Sequence, residues 1–315
     1  MNRFPTLNKI QQAAARIKPH AHRTPVLMCQ TINNMLDAEL FFKCENFQKV
    51  GAFKFRGACN TVLSLRSAQA KNGVATHSSG NHAQALALAA KIRGIPAYIV
   101  MPKNAPAVKI AAVEGYGAKI TFCEPTLTAR ETNLTKVVEK TDAEFVHPYN
   151  DYRVITGQAT AALEIFEKIQ SLDIIMTPVG GGGLLSGTAL STAYLSSGTQ
   201  VIAAEPANAD DAYRSFHARK LIPSVNPKTI ADGLLTSLGS HTFAVMQKYV
   251  HDVITVSETA IIRAMRLIWE RMKIIIEPSA AVPLGALLEN KLKFRGKRIG
   301  IILTGGNVDL EKLPW

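Results

Sequence analysis

The chain has 315 residues, 47% hydrophobic and 19% charged, with a formal net charge of +12 and a sequence pI of about 9.6. That length buries a large core and stands where one core tends to split into two domains. No stretch approaches the ~18–20 uninterrupted apolar residues of a membrane span, residues 1–12 carry no apolar signal core, and the basic charge is spread out, its densest run (Lys291 to Arg298) reading as a solvated turn, so membrane and nucleic-acid partners are excluded.

The elements predicted in chain order alternate. Leu40–Lys43 reads as a strand and Phe55–Leu65 as a helix. Val74–His77 is a short strand, followed by an alanine-rich helix, His82–Ile92, that stops at Gly94. Ala97–Val100 is a strand, Val108–Val113 a helix ended at Gly115, Lys119–Phe122 a strand and Leu127–Lys140 a helix. Glu144–Val146 is a strand, Thr156–Gln170 a helix, and Ile174–Thr177 a strand leading into Gly180-Gly181-Gly182-Gly183. A helical run, Leu184–Leu195, follows, then strand Val201–Ala204, helix Thr259–Arg271 and strand Ile299–Leu303. Strands regularly separated by helices predict an α/β fold of two domains in three layers, with parallel-rich sheets covered by helices. The βαβ units within 69–147 predict a small domain, and residues 1–68 with 148–315 the large one. Four scattered cysteines, Cys29, Cys44, Cys59 and Cys123, show no metal-ligand spacing and fit buried thiols in a reducing cytoplasm.

Ligands in such sheets sit at the carboxyl ends of strands. The four glycines stand there. Their amides can converge on an anion, and the helix start behind them adds partial positive charge. Lys54 lies between Phe53 and Phe55 at a loop-to-helix junction. Desolvation lowers the pKa of such an amine and suits it to Schiff-base chemistry. A phosphate cradle with an imine-forming lysine points to pyridoxal phosphate. The spacing of the glycines does not match the G-x-G-x-x-G of nicotinamide dehydrogenases.

The ordered set of motifs resembles the fold-type II pyridoxal-phosphate enzymes, in the serine/threonine dehydratase family and its serine racemase and hydroxyaspartate dehydratase branch. It comprises Lys43 to Gln48 with Gly51 to Ala58, Ser78-Ser79-Gly80-Asn81-His82-Ala83-Gln84, the tetraglycine, Glu205-Pro206 with Asp210-Asp211, Ala231-Asp232-Gly233, and Thr304 to Asp309. The fold this implies is that of the tryptophan synthase β-chain. The resemblance implies that Lys54 bonds the cofactor and serves as base on one face of the substrate Cα. It places Phe53 beside the ring, Asn81 at the ring hydroxyl, Gly180, Gly181, Gly182, Gly183 and the Leu184 amide at the phosphate, and Thr304 at the ring nitrogen. Ser78, Ser79, Gly80, Asn81 and His82 would clasp the substrate carboxylate, with Arg130 nearby. A neutral hydroxyl at the ring nitrogen makes the ring a weaker electron sink than an aspartate would, which favours elimination over transamination. Racemisation needs a proton donor or acceptor on each face, and Ser79 occupies the position that carries serine in the racemase branch.

Glu205, Asp211 and the Ala209 carbonyl offer hard oxygen ligands, and the resemblance extends this to a structural Mg²⁺ (or Ca²⁺/Mn²⁺). By analogy with some racemases, Lys49, Lys273 and Asn307 could bear on a nucleotide effector site at a dimer interface, although ordinary surface lysines account equally for the first two, and the site is left open. The expected activity is β-elimination of L-serine, L-threonine or a related 3-hydroxy amino acid to keto acid and ammonia, together with serine racemisation, in a cytoplasmic homodimer. A 3-hydroxyaspartate dehydratase, a β-replacement enzyme of the cysteine synthase kind and a non-catalytic regulatory protein on the same scaffold remain the alternatives. Because the sequence ends at Trp315, soon after Thr304, no C-terminal amino-acid-sensing domain is expected.

Overall fold

A computed structural model describes residues 4–315; the first three residues of the polar N-terminal segment lie outside it. The strands are β1 (Val26–Leu27), β2 (Glu39–Cys44), β3 (Val74–His77), β4 (Ala97–Pro102), β5 (Lys119–Cys123), β6 (Glu144–Phe145), β7 (Ile174–Pro178), β8 (Gln200–Pro206), β9 (Asp252–Val256) and β10 (Arg298–Leu303). They form two sheets. One has six strands in the order β1-β2-β10-β7-β8-β9, and the other has four in the order β5-β4-β3-β6. Every pairing is parallel except β1 with β2. Parallel strands need long crossovers, and the helices between them supply these and cover both faces.

The six-stranded sheet separates two apolar layers. Its strands send Leu40, Phe42, Met176, Ile202, Ile299 and Ile301 toward the helices Glu258–Met272 and Pro278–Glu289. The alternate residues Phe41, Ile175, Val201, Ala203 and Ile302 face the helices Tyr152–Lys168 and Gly183–Leu195. That alternation is the period-two signature of a sheet buried on both sides. The four-stranded sheet packs its Val74, Ile99 and Met101 against the helices Lys54–Ser64 and Asn81–Arg93.

Most predicted helices form, with shifted ends. The helix expected from Thr156 starts four residues earlier at Tyr152, because the Asp151 side chain accepts the Arg153 amide and caps it there. Strand β8 runs on through Glu205 and Pro206, so Glu205 is a strand residue and Asp211 opens the helix Asp211–Ala218. Among the described residues no helix is long and apolar enough to cross a membrane.

Candidate active site

Three strand ends of the large sheet meet at one place. After β2 the chain makes a short turn, in which Val50 adopts φ 57° and Gly51 φ 66°, and then enters the helix at Lys54. After β10 comes Thr304. Ala52 pairs with Gly305, the Phe53 amide donates to the Thr304 carbonyl (3.0 Å), and the Gly306 amide donates to the Gly51 carbonyl (2.9 Å). The lysine loop and the threonine loop are therefore laced together backbone to backbone.

A buried ion cluster anchors the helix behind Lys54. Arg56, fully buried, donates through Nε and Nη2 to Glu45 (2.7 and 2.8 Å) and through Nη1 and Nη2 to Glu164 (2.7 and 2.9 Å). Lys43 adds a second cation on Glu164. Burial alone would raise the Glu45 carboxyl, but Arg56, Lys43 and the Thr24 hydroxyl together outweigh it and hold the group below its ordinary value. Two cations and two anions balance, which is the condition for keeping charges out of water.

Lys54 Nζ donates to the Pro148 carbonyl at 3.0 Å and lies 5.2 Å from the centre of the Phe53 ring. Burial lowers its pKa to about 8, against the pull of Glu277. The amine faces a cavity of about 440 Å³ lined from both sheets. Phe53, Ser78, Ser79, Gly80, Asn81, His82, Arg130, all four glycines, Leu184 and Thr304 line the same cavity. The sequence-derived candidates for cofactor and substrate are thus brought together. Glu205, Ala209 and Asp211 lie apart from this lining, at the end of β8.

The tetraglycine follows β7 and opens the helix Gly183–Leu195. Gly182 takes φ 84°, a left-handed conformation that favours glycine. The sequence reading explains the glycines by an approaching ligand, but their neighbours in the protein also demand them. A Cβ on Gly181 would fall 2.3 Å from the Tyr149 ring, one on Gly180 2.9 Å from the Leu234 Cα, and one on Gly182 2.8 Å from Thr242. The helix start that remains presents bare amides to the cavity.

Thr304 is buried, and its Oγ1 has no hydrogen-bond partner among the described residues. A buried unpaired hydroxyl beside the glycine cradle fits a pyridine nitrogen. Asn81 is more committed than expected. Its Nδ2 donates to both oxygens of Glu277 (3.2 and 3.1 Å), and its Oδ1 accepts from Asn307 Nδ2 (2.9 Å). Glu277 was not legible as a site residue. It is buried in the cavity wall, and burial raises its pKa to about 7, with the Asn81 hydrogen bond opposing. Its only sequence signal is the Glu277-Pro278 pair before an apolar run, with proline at the first turn of a helix.

The His82 imidazole, at the cavity wall, is turned to the backbone behind it. It is buried, and its Nε2 donates to the Val146 carbonyl at 3.2 Å. Ser78 Oγ accepts the Gly80 amide (3.3 Å), so this serine shapes the loop while Ser79 stays free at the cavity wall. Arg130, on the helix Leu127–Thr141, reaches the cavity from the small-sheet side, as does Lys109, which pairs with Asp232 at 2.9 Å across the mouth.

Glu205 and Asp211 are both buried. Glu205 accepts the amides of Ala212 and Tyr213, and Asp211 accepts the amide of Leu238 (3.1 Å). Burial still raises Glu205 to about 9 and Asp211 to about 6. Among the described residues no group of three or more His, Cys, Asp or Glu side chains is arranged to hold a metal ion. Two desolvated carboxylates short of positive charge nevertheless have the donor chemistry of a hard divalent cation. Of the residues weighed for a nucleotide, Asn307 is spent inside the site on Asn81 and the Val50 carbonyl, Lys49 lies over the Phe55 ring, and Lys273 caps the helix Glu258–Met272.

Comparison with known proteins agrees with this geometry. The family described as pyridoxal-phosphate dependent enzyme matches residues 17–305. A beta-hydroxyaspartate dehydratase of Paracoccus denitrificans (strain Pd 1222) is 52% identical over 312 residues, covering 99% of both chains. A serine racemase of Dictyostelium discoideum is 50% identical over 313 residues, covering 98% of this chain and 96% of that protein. A crystal structure of serine racemase from Dictyostelium discoideum superposes with a TM-score of 0.93 at 51% identity, covering 97% of this chain and 99% of that one. With a lysine amine, a glycine cradle and an unpaired hydroxyl around one cavity, the chain belongs to the family of pyridoxal-phosphate dependent enzymes.

Proposed function

We propose that the protein eliminates water from L-serine, L-threonine or 3-hydroxyaspartate, giving a keto acid and ammonia, and that it racemises serine. The observation that carries this reading is the Lys54 amine, half-buried, its pKa lowered to about 8, and sharing one cavity with the tetraglycine and the unpaired Thr304 hydroxyl. When bound, pyridoxal phosphate supplies an aldehyde that captures an amine and a ring that draws electrons from the adjacent carbon. Lys54 would hold the aldehyde, the amides of Gly180 to Leu184 the phosphate, Thr304 Oγ1 the ring nitrogen, and Asn81 the ring hydroxyl.

The remaining steps belong to side chains and backbone. The loop Ser78–His82 offers hydroxyl and amide donors that orient the substrate carboxylate. The Lys54 amine would take the Cα proton, and an amine whose pKa is lowered to about 8 is suited to give and take protons near neutral pH. Ser79 stands at the wall to return a proton on the opposite face. Movement of the small domain over the cavity would keep water from competing for that proton. We assign Glu205, the Ala209 carbonyl and Asp211 to a Mg²⁺, Ca²⁺ or Mn²⁺ ion with a structural role, which would supply the charge that the two buried carboxylates lack.

One feature suits a dicarboxylic substrate: Arg130 brings a cationic side chain to the cavity, whereas Lys109 is already paired with Asp232. The reading includes a small domain, 69–147, that moves over the site, a homodimer, and a cytoplasmic setting, which the four free thiols support. The test is to incubate the holoenzyme with L-serine, L-threonine and threo-3-hydroxyaspartate, and to assay keto acid and D-serine. Lys54→Ala should abolish both products, and Ser79→Ala should cost racemisation far more than elimination. Full turnover by the alanine variant of Lys54 would sink the reading.

A further inference from the structure

The turn from His147 to Asn150 touches several parts of the site and has one organiser. His147 Nδ1 accepts the backbone amides of Tyr149 (3.2 Å) and Asn150 (2.9 Å). A ring nitrogen accepting from the second and third following residues does here what a side-chain oxygen does in an Asx turn. The turn so held presents the Pro148 carbonyl to Lys54 Nζ at 3.0 Å. It also lays the Tyr149 ring against the phosphate cradle, 2.3 Å from where a Cβ on Gly181 would stand. Asn150 Oδ1 in turn accepts the His241 amide (2.8 Å). On the other side, His82 Nε2 donates to the carbonyl of Val146, whose own amide is tied to Ala75 in β3. The segment that carries the acceptor for the lysine amine is therefore pinned by an imidazole at each end.

The chemistry of the ring suits this duty. A nitrogen that accepts two amides must be unprotonated. Burial lowers His147 to about 4, with His77 and Lys54 pushing the same way, so the acceptor persists at neutral pH. The 147–150 turn has no side-chain oxygen of its own at the first position. Without the imidazole its two amides would lose their partner and the Pro148 carbonyl would lose its fixed aim.

We propose that His147 is a positioning residue for the reaction: its imidazole folds the 147–150 turn so that the Pro148 carbonyl holds the Lys54 amine at one place in the cavity whenever that amine is free. The proposal rests on the role given to Lys54 above. The amine donates one N–H to that carbonyl, so its position is restricted before it captures the cofactor and after the substrate releases it. Restricting a reacting group in this way lowers the entropy lost at the proton-transfer step.

The test compares the full-length wild type with His147→Asn and His147→Leu. Asparagine Oδ1 is attached at the same side-chain atom as imidazole Nδ1 and can accept the same two amides; leucine accepts nothing. Two quantities are read: kcat and KM for keto acid release from L-serine and threo-3-hydroxyaspartate, and the rate at which cofactor-free protein takes up pyridoxal phosphate, followed by absorbance. His147→Leu is expected to lose roughly 10- to 100-fold in kcat, with KM moving far less, and to slow cofactor uptake about tenfold. His147→Asn is expected to return to within about threefold of wild type in both. The proposal is overturned if His147→Leu stays within about twofold of wild type in both readings, or if a folded His147→Asn is as impaired as His147→Leu. Should His147→Leu fail to fold, His147→Gln replaces it: its acceptor lies one bond too far, so it should behave as impaired, and parity between Asn and Gln overturns the proposal. If the wild type releases no keto acid from either substrate, the proposed reaction fails, while the uptake rates still decide the role of the turn.

Discussion

Arg56→Met tests whether the charge cluster beneath the lysine helix is the anchor that its geometry indicates. The substitution keeps most of the side-chain bulk and removes the charge. Wild-type Arg56 and Lys43 balance Glu45 and Glu164, which are 0% and 15% exposed. After the change, Lys43 alone faces two carboxylates with little access to water. Breaking a buried pair from one side costs about 3–5 kcal/mol. The least costly escape is to protonate Glu45, and from its ordinary value of 4.5 that costs about 3 kcal/mol at pH 7. The two routes agree, so a loss of about 3 kcal/mol is expected in urea denaturation at pH 7. The loss should shrink toward pH 5, where protonation is nearly free. Adding Glu45→Gln should recover more than half of it, because Lys43 and Glu164 then balance. A loss below about 1 kcal/mol, or one that is flat between pH 5 and pH 8, would refute the reasoning.

Two further outcomes are expected. Burial raises Glu277 from 4.5 to about 7, so folding takes up a proton there; the stability of the cofactor-free protein should decline by up to about 3 kcal/mol as pH rises from about 4.5 to about 7 and level off above. Thermal melts of Glu277→Gln should lack that part of the slope, and an identical slope in wild type and variant would contradict the assignment. Saturating Mg²⁺ should raise the wild-type melting temperature, by the equivalent of about 2.7 kcal/mol at a hundredfold excess over Kd. Asp211→Asn should lose most of that rise, and an equal rise in both proteins would count against the Glu205–Asp211 site.

The parallel α/β order was legible because most apolar strand runs are short and a longer helix-forming stretch separates each from the next. The tetraglycine and Lys54 were legible because both are odd in their flanks. Other features were not, for physical reasons that can be named. The helix Pro278–Glu289 carries Pro283 in its interior, which the usual rule reads as a break, yet the helix persists, fully packed against the sheet. In β9 the polar Asp252 and Thr255 leave no continuous apolar run longer than Val253-Ile254. Glu277 becomes a site residue only through its contact with Asn81, 196 positions away in sequence. The motif that contains His82 says nothing of which way the ring turns, and the ring is drawn inward by the Val146 carbonyl. Distances along the chain do not encode such pairings.

Strand β10, tenth in chain order, lies between β2 and β7. It supplies both the edge on which β2 docks and the end that carries Thr304. The four-stranded sheet, by contrast, is built from one continuous stretch of chain, so a growing polypeptide can complete it early. The larger sheet must wait until residue 303 has left the ribosome, with β2 and β7 held apart and their apolar faces unsatisfied in the meantime. The seat of chemistry is thus assembled after the four-stranded sheet, and a chain released before β10 would carry the lysine and the glycines without the wall that joins them.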